Sequence, residues 1–371
     1  MIRVTRRRLI LAAAAILALL AAAPFVRRVR AAEILTALAK PDPTQAAAAG
    51  LVETDLTIPG PDGPIRARVY RKADARGLGI VVAHGVHYRS IDEKRLVRFS
   101  RQLAASGAVV LTPELSELAD YHINAQGVGA IDAAVRWLSA KSELVESPCV
   151  GLVGFSFAGG LALVAATRPE LQSHLRYVAS VGGHHDLGRV LGFLLHDQVA
   201  TPNGLVHTKA HEYGLVVLLY QELEHFVDAE DLSVMREALR AWLHEDKRAA
   251  ATMAARATTA SGKRIFHLLE TSRLAELTPA LEERLRVRQS ELGAMSPHGH
   301  LGEVHVPIYA LHGAGDTVIP PSETEWIERE AAERGGEHLT LVSPLLEHVE
   351  IAGHAKVGEQ WALVDFMAHL L

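Results

Sequence analysis

The sequence predicts an α/β fold, with a mostly parallel sheet covered by helices on both faces and interrupted by one helical insertion. Between about residues 78 and 181, short apolar runs alternate with stretches of helical spacing. The apolar runs are nearly continuous Val, Ile and Leu, which is typical of strands buried on both faces. The alternation stops after residue 186 and resumes near residue 304. In sheets of this kind, ligands bind outside the carboxyl ends of the strands.

The composition is that of a globular protein with a large core. The chain has 371 residues, of which 49% are apolar and 22% are charged. This length predicts one large domain with an insertion, or two domains. Because Cys149 is the only cysteine, an intramolecular disulfide and a thiolate-rich metal site are excluded.

Residues 1–30 predict a membrane anchor or an export signal. An uncharged run extends from Leu9 to Val26, with four arginines before it and three after it. As a helix this run would span about 27 Å, close to the ~30 Å hydrocarbon core of a bilayer. An uncleaved anchor is the preferred interpretation. A cleaved signal is the alternative, because Ala21-Ala22-Ala23 resembles a cleavage site.

The arginines also predict where the rest of the protein lies. Because four arginines precede the apolar run and only three follow it, the amino end of the chain is expected in the cytoplasm. We therefore expect the catalytic body on the periplasmic side of a bacterial inner membrane, or exported if the segment is cleaved. The chain carries a net charge of −5, and without the seven arginines of residues 1–30 the remainder carries −12. A body this acidic repels nucleic acid, so we expect no nucleic-acid partner.

The first elements predict a hairpin followed by alternating strands and helices. Residues 31–52 read as a linker, and the Pro/Gly-rich stretch 59–64 joins two antiparallel strands. The alternation of strands and helices predicts an α/β core formed by residues 53–186 and 304–371. Its predicted strands and helices are Glu53–Ile58, Ile65–Arg71, Leu78–Ala83, Ile91–Ser106, Ala108–Leu111, Val128–Ser139, the apolar run after Cys149, Tyr177–Val181, Val306–Leu311, Ser322–Arg334, His338–Val342 and Val357–Leu371.

Residues 187–303 predict a helical cap inserted over the carboxyl edge of the sheet. They hold no convincing β-run, and the insertion is long enough for roughly four to six helices. Helical patterns extend over Leu232–Leu243, Ala249–Thr258 and Thr278–Leu292. Breaks are expected at Pro202-Asn203-Gly204 and at Ser261-Gly262-Lys263.

A tight strand-to-helix turn at Ser156 is the central motif of the chain. The apolar run that starts at Cys149 ends in Gly154-Phe155-Ser156-Phe157-Ala158, and an Ala/Leu-rich helical run follows at once. A serine in such a turn is held in a strained, exposed backbone conformation and needs small residues two positions before and after it. Gly154 and Ala158 are those residues, although the second position is usually glycine.

Acyl transfer by a serine also requires a base and a carboxylate that orients the base. The loop after Val306–Leu311 contains Asp316, and Asp186 is the alternative carboxylate. His348 follows the last predicted strand and is the preferred base. His354, just before the last helix, is the competitor.

The oxyanion of the tetrahedral intermediate requires N–H donors. One donor is expected from Phe157, because it follows the nucleophile. The other is expected from Val86, in the loop His84-Gly85-Val86-His87, where Gly85 permits backbone conformations that a side chain would block.

These motifs, in this order, resemble those of the α/β-hydrolase superfamily, in particular its serine esterases and lipases. The resemblance covers about residue 53 to the carboxyl end, apart from the cap, and includes Leu311-His312-Gly313 with Asp316 three residues later. It implies an eight-stranded, mostly parallel sheet, with Ser156 as nucleophile, His348 as base and then acid, and Asp316 as its orienting carboxylate.

The preferred hypothesis is therefore a serine hydrolase that cleaves a small-molecule carboxylic ester or acyl substrate, with no cofactor and no metal. An amidase or peptidase of the same fold is the nearest alternative. A catalytically silent, membrane-tethered binding protein is another. A metal site built from histidines (His84 with His87, His184-His185-Asp186, or His207 with His211) is a further, weaker alternative.

Overall fold

The computed structural model describes residues 24–40, 50–347, 350–351 and 356–371. His348 and His354, the two candidate bases, lie outside the described residues, as does most of the expected anchor. Among the helices that are described, none combines the length and the apolar character needed to span a bilayer.

The centre of the described chain is an eight-stranded sheet with the spatial order β1-β2-β4-β3-β5-β6-β9-β10. Strand β2 runs antiparallel to both of its neighbours, and the strands from β4 to β10 pair in parallel. The predicted mixed, mostly parallel sheet is therefore confirmed. The eight strands are β1 Leu51–Gly60, β2 Gly63–Lys72, β3 Gly79–Ala83, β4 Val109–Pro113, β5 Val150–Phe155, β6 Leu175–Val181, β9 Ile308–Gly313 and β10 His338–Ser343.

Two short hairpins lie outside this sheet. They are formed by β7 Gln198–Thr201 with β8 Gly204–His207, and by β11 Leu346–Glu347 with β12 Glu350–Ile351. The β7–β8 hairpin corrects the expectation that the insertion contains no strands. Pro202 and Asn203 form the turn of this hairpin and do not simply end a helix. Neither hairpin was predicted from the sequence.

Helices cover both faces of the sheet. The helix over residues 24–39 is called α1 here. The others are α2 Lys94–Ala105, α3 Ser116–Ala119, α4 Gln126–Ser139, α5 Phe157–Ala166, α6 Pro169–Gln172, α7 Leu187–His196, α8 Glu212–Gln221, α9 Ala229–Leu243, α10 Lys247–Ala254, α11 Ala260–Glu270, α12 Thr278–Val287, α13 Gln289–Ala294, α14 Ser322–Arg334 and α15 Val357–His369, with single 3₁₀ turns at Ser90–Asp92, Leu223–His225, Leu274–Leu277 and Leu301–Glu303.

The alternation of side chains along each strand divides the core into two layers. In β3, Val81 and Ala83 belong to a cluster with α4, α5 and α14, whereas Ile80 and Val82 belong to a cluster with α1, α2 and α15. Both faces of the parallel strands are thus buried, which is why the sequence shows continuous apolar runs there and no polar alternation.

The segment between β6 and β9 is mainly helical and contains α7 to α13. Its buried side chains join the same apolar cluster as α4 and α5, so these helices are continuous with the core. Two local expectations were wrong. Helix α11 continues through Ser261-Gly262-Lys263, because the Thr259 side chain accepts the N–H of Gly262 and caps the helix before this point. The pattern over Thr278–Leu292 forms two helices, which meet at Arg288.

Candidate active site

Ser156 lies where β5 turns sharply into α5. Its backbone has φ 54° and ψ −133°, one of the few positive φ angles of non-glycine residues in the described chain. Such conformations cost of order 1–3 kcal/mol and persist only where the surroundings enforce them. Here the Ser156 N–H donates to the carbonyl of Val181 (2.8 Å), and its carbonyl accepts the N–H of Gly159 (2.7 Å).

Close packing around this turn explains its small residues. A Cβ on Gly154 would lie 2.2 Å from the carbonyl oxygen of Ala158, so no side chain can be placed there. A Cβ on Gly159 would lie 2.5 Å from Ser180 Oγ, and one on Gly160 would lie 2.2 Å from the ring of His184. The closest approach of α5 to β6 therefore falls at Gly159 and Gly160. Position 158 itself is occupied by a fully buried alanine.

The loop after β3 passes directly beside Ser156. A Cβ on Gly85 would lie 2.8 Å from Ser156 Cβ and 3.4 Å from Ser156 Oγ. Among the described residues, neither the Val86 N–H nor the Phe157 N–H has a hydrogen-bond acceptor. The Phe157 N–H is also one of the free donors at the amino end of α5. The loop that contains Val86 thus passes beside the serine at Gly85, and Phe157 directly follows the serine in the chain.

His84 holds this loop in place. Its Nε2 accepts the N–H of Leu115 (2.9 Å) and contacts Ser90 Oγ (2.9 Å), so the proton is on Nδ1, which donates to the carbonyl of Gly85 (2.7 Å). Burial lowers the pKa of His84 to about 4, and the ring is neutral. The sequence analysis considered His84 as a metal ligand, but both of its nitrogens are used in hydrogen bonds.

Asp316 lies in the loop after β9, at the same edge of the sheet. Its side chain is fully buried, and Oδ1 accepts the N–H groups of Val318 (2.8 Å) and Ile319 (3.1 Å). Nε2 of His312 lies 3.4 Å from Oδ2 while it donates to the Ile319 carbonyl (2.9 Å). Asp316 does not cap α14, which begins several residues later after Pro321. The loop therefore fixes a buried carboxylate without using it to start a helix.

The alternative carboxylate, Asp186, has a structural partner. Its Oδ1 accepts the N–H of Arg189 (2.8 Å), which makes it the amino-terminal cap of α7. Its own N–H donates to Glu323 (2.8 Å). This arrangement favours Asp316 over Asp186 as the orienting acid.

A small apolar pocket is lined by Phe157, the residue after Ser156, and mainly by residues of α7 and α8. Phe157 from the turn and Val318 from the Asp316 loop line it together, which brings these two parts of the candidate site to one place. Its free volume is about 10 Å³, room for about one water molecule. The remaining lining residues are Ile123, Leu191, Leu194, Tyr213, Gly214, Val217, Leu218 and Gln221.

Tyr213 of α8 connects the insertion to the loop after β3. Its hydroxyl donates to the carbonyl of Val86 (3.4 Å). Burial raises the pKa of Tyr213, so the hydroxyl keeps its proton at neutral pH. Next to this contact, the rings of Tyr88 and His244 stack with their centroids 4.0 Å apart. No sequence signal pointed to either contact, because the partners are more than 120 residues apart.

The histidine clusters do not favour a metal site. His207 ends β8 and His211 caps α8, so they do not lie one helical turn apart as expected. Among the described residues, His185, His298 and Glu330 bring possible ligand atoms within 4.8 Å of one another. However, Nδ1 of His185 faces Arg189 (3.1 Å), which can only donate, so Nε2 carries the proton and donates to Glu330 (2.6 Å). His185 therefore has no free lone pair for an ion.

The order of the sheet and the turn at Ser156 together decide the fold. The second strand is antiparallel to its neighbours, and the third and fourth strands are crossed in the sheet. A serine with positive φ lies between the fifth strand and the helix that follows it. The chain has the α/β-hydrolase fold.

Comparisons with solved structures returned proteins of the α/β-hydrolase fold at low identity. Brefeldin A esterase, described as a bacterial homologue of human hormone-sensitive lipase, is 16% identical with a TM-score of 0.49, over 94% of this chain and 87% of that chain. An esterase from Pyrobaculum calidifontis is 17% identical with a TM-score of 0.43, over 87% and 82%. An acylaminoacyl peptidase from Pyrococcus horikoshii is 10% identical with a TM-score of 0.46, over 85% of this chain but only 40% of its own.

No family model and no curated protein sequence matches the chain. The assignment of the α/β-hydrolase fold therefore rests on the strand order and the turn described above. The roles of Ser156, Asp316, His348, Phe157 and Val86 remain predictions.

Proposed function

We propose that this chain is a serine hydrolase that cleaves a carboxylic ester through an acyl-enzyme intermediate. The observation that carries the proposal is the strained backbone of Ser156, with the Gly85 backbone against its side chain. The neighbouring N–H groups of Phe157 and Val86 have no acceptor among the described residues. Strain of this kind is concentrated at functional sites. The buried Asp316 carboxylate at the same edge supplies the second requirement of the chemistry.

In the proposed reaction, Ser156 Oγ attacks the carbonyl carbon of the ester while His348 takes the hydroxyl proton. The N–H groups of Phe157 and Val86 stabilise the oxyanion, and His348 then gives its proton to the departing alcohol. Water repeats the sequence on the acyl-enzyme, so that the acid leaves and Ser156 regains its proton. Asp316 orients His348 and stabilises the charge that forms on its ring.

The small apolar pocket lined by Phe157 supports an apolar acyl group as the part of the substrate that binds there. Leu191 and Leu194 of α7 and Val217 of α8 fill this space. The bound acyl chain would therefore have to displace some of these side chains.

Labelling with a fluorophosphonate tests the nucleophile, because the reagent forms a stable adduct with an activated serine. We expect one adduct, on Ser156, and none in Ser156→Ala. A series of chromogenic esters of increasing acyl length, run beside a peptide panel, then separates esterase from peptidase activity. Intact protein that forms no adduct and cleaves neither class would support the silent binding protein instead.

Replacing the two candidate bases tests the assignment of His348. His348→Ala is expected to lower turnover at least roughly a thousand-fold, whereas His354→Ala should cost far less. A larger loss of turnover in His354→Ala than in His348→Ala would instead identify His354 as the base.

Gly85→Ala tests the oxyanion loop. Its new Cβ would lie 2.8 Å from Ser156 Cβ and push the loop away, so we expect at least roughly a tenfold loss of turnover. Gly192→Ala is the matched control, because it lies within α7 and its Cβ would have no heavy atom within 4 Å. Equal activity of the two variants would mean that the loop does not contribute to catalysis.

A further inference from the structure

Helix α1 is fixed to the body of the protein. Its Ala31 and Ile34 are buried in the core layer that also contains α2 and α15. Arg28 forms an ion pair with Asp365 of α15 (2.6 Å), and the guanidinium of Arg98 in α2 donates to the carbonyls of Ala37 and Lys40. The direction of α1 relative to the sheet is therefore defined by packing along its length.

The amino-terminal turns of α1 lie at the edge of the sheet opposite to Ser156. They border two cavities, of about 300 Å³ and about 520 Å³. These cavities are also lined by residues at the starts of parallel strands: Gly77 and Leu78 before β3, Gly107 and Ala108 before β4, Arg176 in β6 and Pro307 before β9. Ser156 and Asp316 follow the carboxyl ends of β5 and β9, so α1 and the candidate site occupy opposite edges.

The surface around these cavities combines unpaired arginines with exposed apolar side chains. Arg27 and Arg176 line both cavities and Arg30 lines the larger one. All three are exposed and, within the described chain, none forms an ion pair. On the same turns of α1, Phe25 is 68% exposed, Val26 43% and Val29 42%. We call these six residues the basic face.

Three acidic residues line the two cavities, and two of them contact other side chains. Asp365 is paired with Arg28, and Glu337 accepts the hydroxyl of Tyr309 (2.8 Å). Glu146 lines the larger cavity. Four arginines line the two cavities against these three acids, so the lining side chains carry one excess positive charge, on a body whose residues 31–371 carry a net charge of −12.

We infer that the basic face docks on a membrane that contains anionic phospholipids, with Arg27, Arg30 and Arg176 binding lipid phosphates and Phe25, Val26 and Val29 entering the headgroup region. Basic residues next to exposed apolar side chains are the composition that binds membrane surfaces. The uncharged run Leu9–Val26 reaches the described structure at this face, which favours a lipid over a second protein copy. The acidic body disfavours a nucleic acid.

This docking also orients the molecule. Because the basic face and Ser156 lie at opposite edges of the sheet, the candidate site points away from the bilayer and toward water. The orientation is independent of the proposed hydrolase activity, since it depends only on α1 and the amino edge of the sheet.

Native mass spectrometry of the full chain in detergent micelles tests the inference. Phosphatidylglycerol, phosphatidylcholine and inorganic phosphate are added separately. We expect selective retention of phosphatidylglycerol, reduced at high salt, and at least roughly a tenfold weaker retention in R27S/R30S/R176S. The control R248S/R264S removes two exposed arginines of the insertion and should retain the lipid as the wild type does.

Three results would overturn the inference. They are equal retention of both phospholipids, unchanged retention by R27S/R30S/R176S, or complete displacement of the lipid by inorganic phosphate. If that variant does not fold, R27S/R30S and R176S are measured singly, and unchanged retention by both would count equally against it. Fluorophosphonate labelling of Ser156 in the same variants should be unaffected, so failure here is separate from failure of the proposed function.

Discussion

Single residues at this site act mainly by what they hold in place. The strained Ser156 is kept by two backbone hydrogen bonds and by neighbours too close to carry side chains. His84 is a second example, because its three contacts join the loop after β3 to the segment after β4. Neither nitrogen of its ring is free to take part in catalysis, so His84 is a positioning residue.

The buried, neutral His84 predicts a specific dependence of stability on pH. Its pKa is about 4 in the folded protein, against an ordinary value of 6.5. The unfolded chain therefore takes up a proton at higher pH than the folded chain does. The stabilising contribution is complete above about pH 6.5 and is lost as the pH falls toward 4, with about 2 kcal/mol lost by pH 5.

Urea unfolding at pH 7 and pH 5 measures this contribution. The free energy of unfolding of the wild type should fall more steeply between these values than that of His84→Gln, by about 2 kcal/mol. His267→Gln removes an exposed histidine of α11 and should keep the steeper wild-type dependence. Parallel pH dependences of wild type and His84→Gln would contradict the prediction.

At the scale of elements, the insertion helps to shape the candidate site. Helix α8 contacts the loop after β3 through Tyr213, and His244, the residue after α9, contacts it by stacking on Tyr88. The same helix α8, together with α7, fills the pocket beside Phe157. Helix α8 therefore takes part both in the wall of the pocket and in holding the loop that contains Val86.

Tyr213→Phe tests this connection. The change removes the hydroxyl that donates to Val86 but keeps the ring in the pocket wall. Because one hydrogen bond to the loop is lost, we expect roughly two- to tenfold lower turnover on the preferred ester, with little change in thermal midpoint. Tyr309→Phe removes a hydroxyl at the opposite edge, where it donates to Glu337, and should leave turnover unchanged. Equal turnover of both variants would show that Tyr213 does not position the loop.

At the scale of the whole molecule, a buried carboxylate connects the insertion to the carboxyl-terminal part of the sheet. Glu323 of α14 is fully buried and accepts the N–H groups of His185 and Asp186 (2.8 Å each). It also accepts two hydrogen bonds from Arg189 of α7 (2.6 and 3.1 Å). The loop after β6, the start of α7 and the start of α14 are thus held together at Glu323.

Glu323→Ala should destabilise the protein strongly. The change removes the carboxylate that accepts two buried backbone N–H groups and the Arg189 guanidinium. We therefore expect a loss of about 3 kcal/mol or more in the free energy of unfolding. Urea unfolding measures it, with Glu333→Ala as control, because the Glu333 side chain on the same helix is 70% exposed. A loss below about 1 kcal/mol in Glu323→Ala would mean that the network contributes little.

The sequence by itself determined the features that depend on neighbouring residues. The continuous apolar runs predicted buried parallel strands, and the Pro/Gly-rich turn predicted the β1–β2 hairpin. The helical pattern over Ser322–Arg334 has the bounds of α14, which ends where Gly335 adopts φ 73°. The small residues around Ser156 predicted the turn, because the constraint acts within a few positions along the chain.

Only the tertiary structure decided the features that join distant parts of the chain. The approach of Gly85 to Ser156, the capping role of Asp186, and the contact of Tyr213 with Val86 each depend on how separate elements pack. A histidine or an aspartate has the same local pattern whether it caps a helix, fixes a loop or assists catalysis. Its role is decided by the partners that folding brings to it, and for His348, outside the described residues, that role stays a prediction.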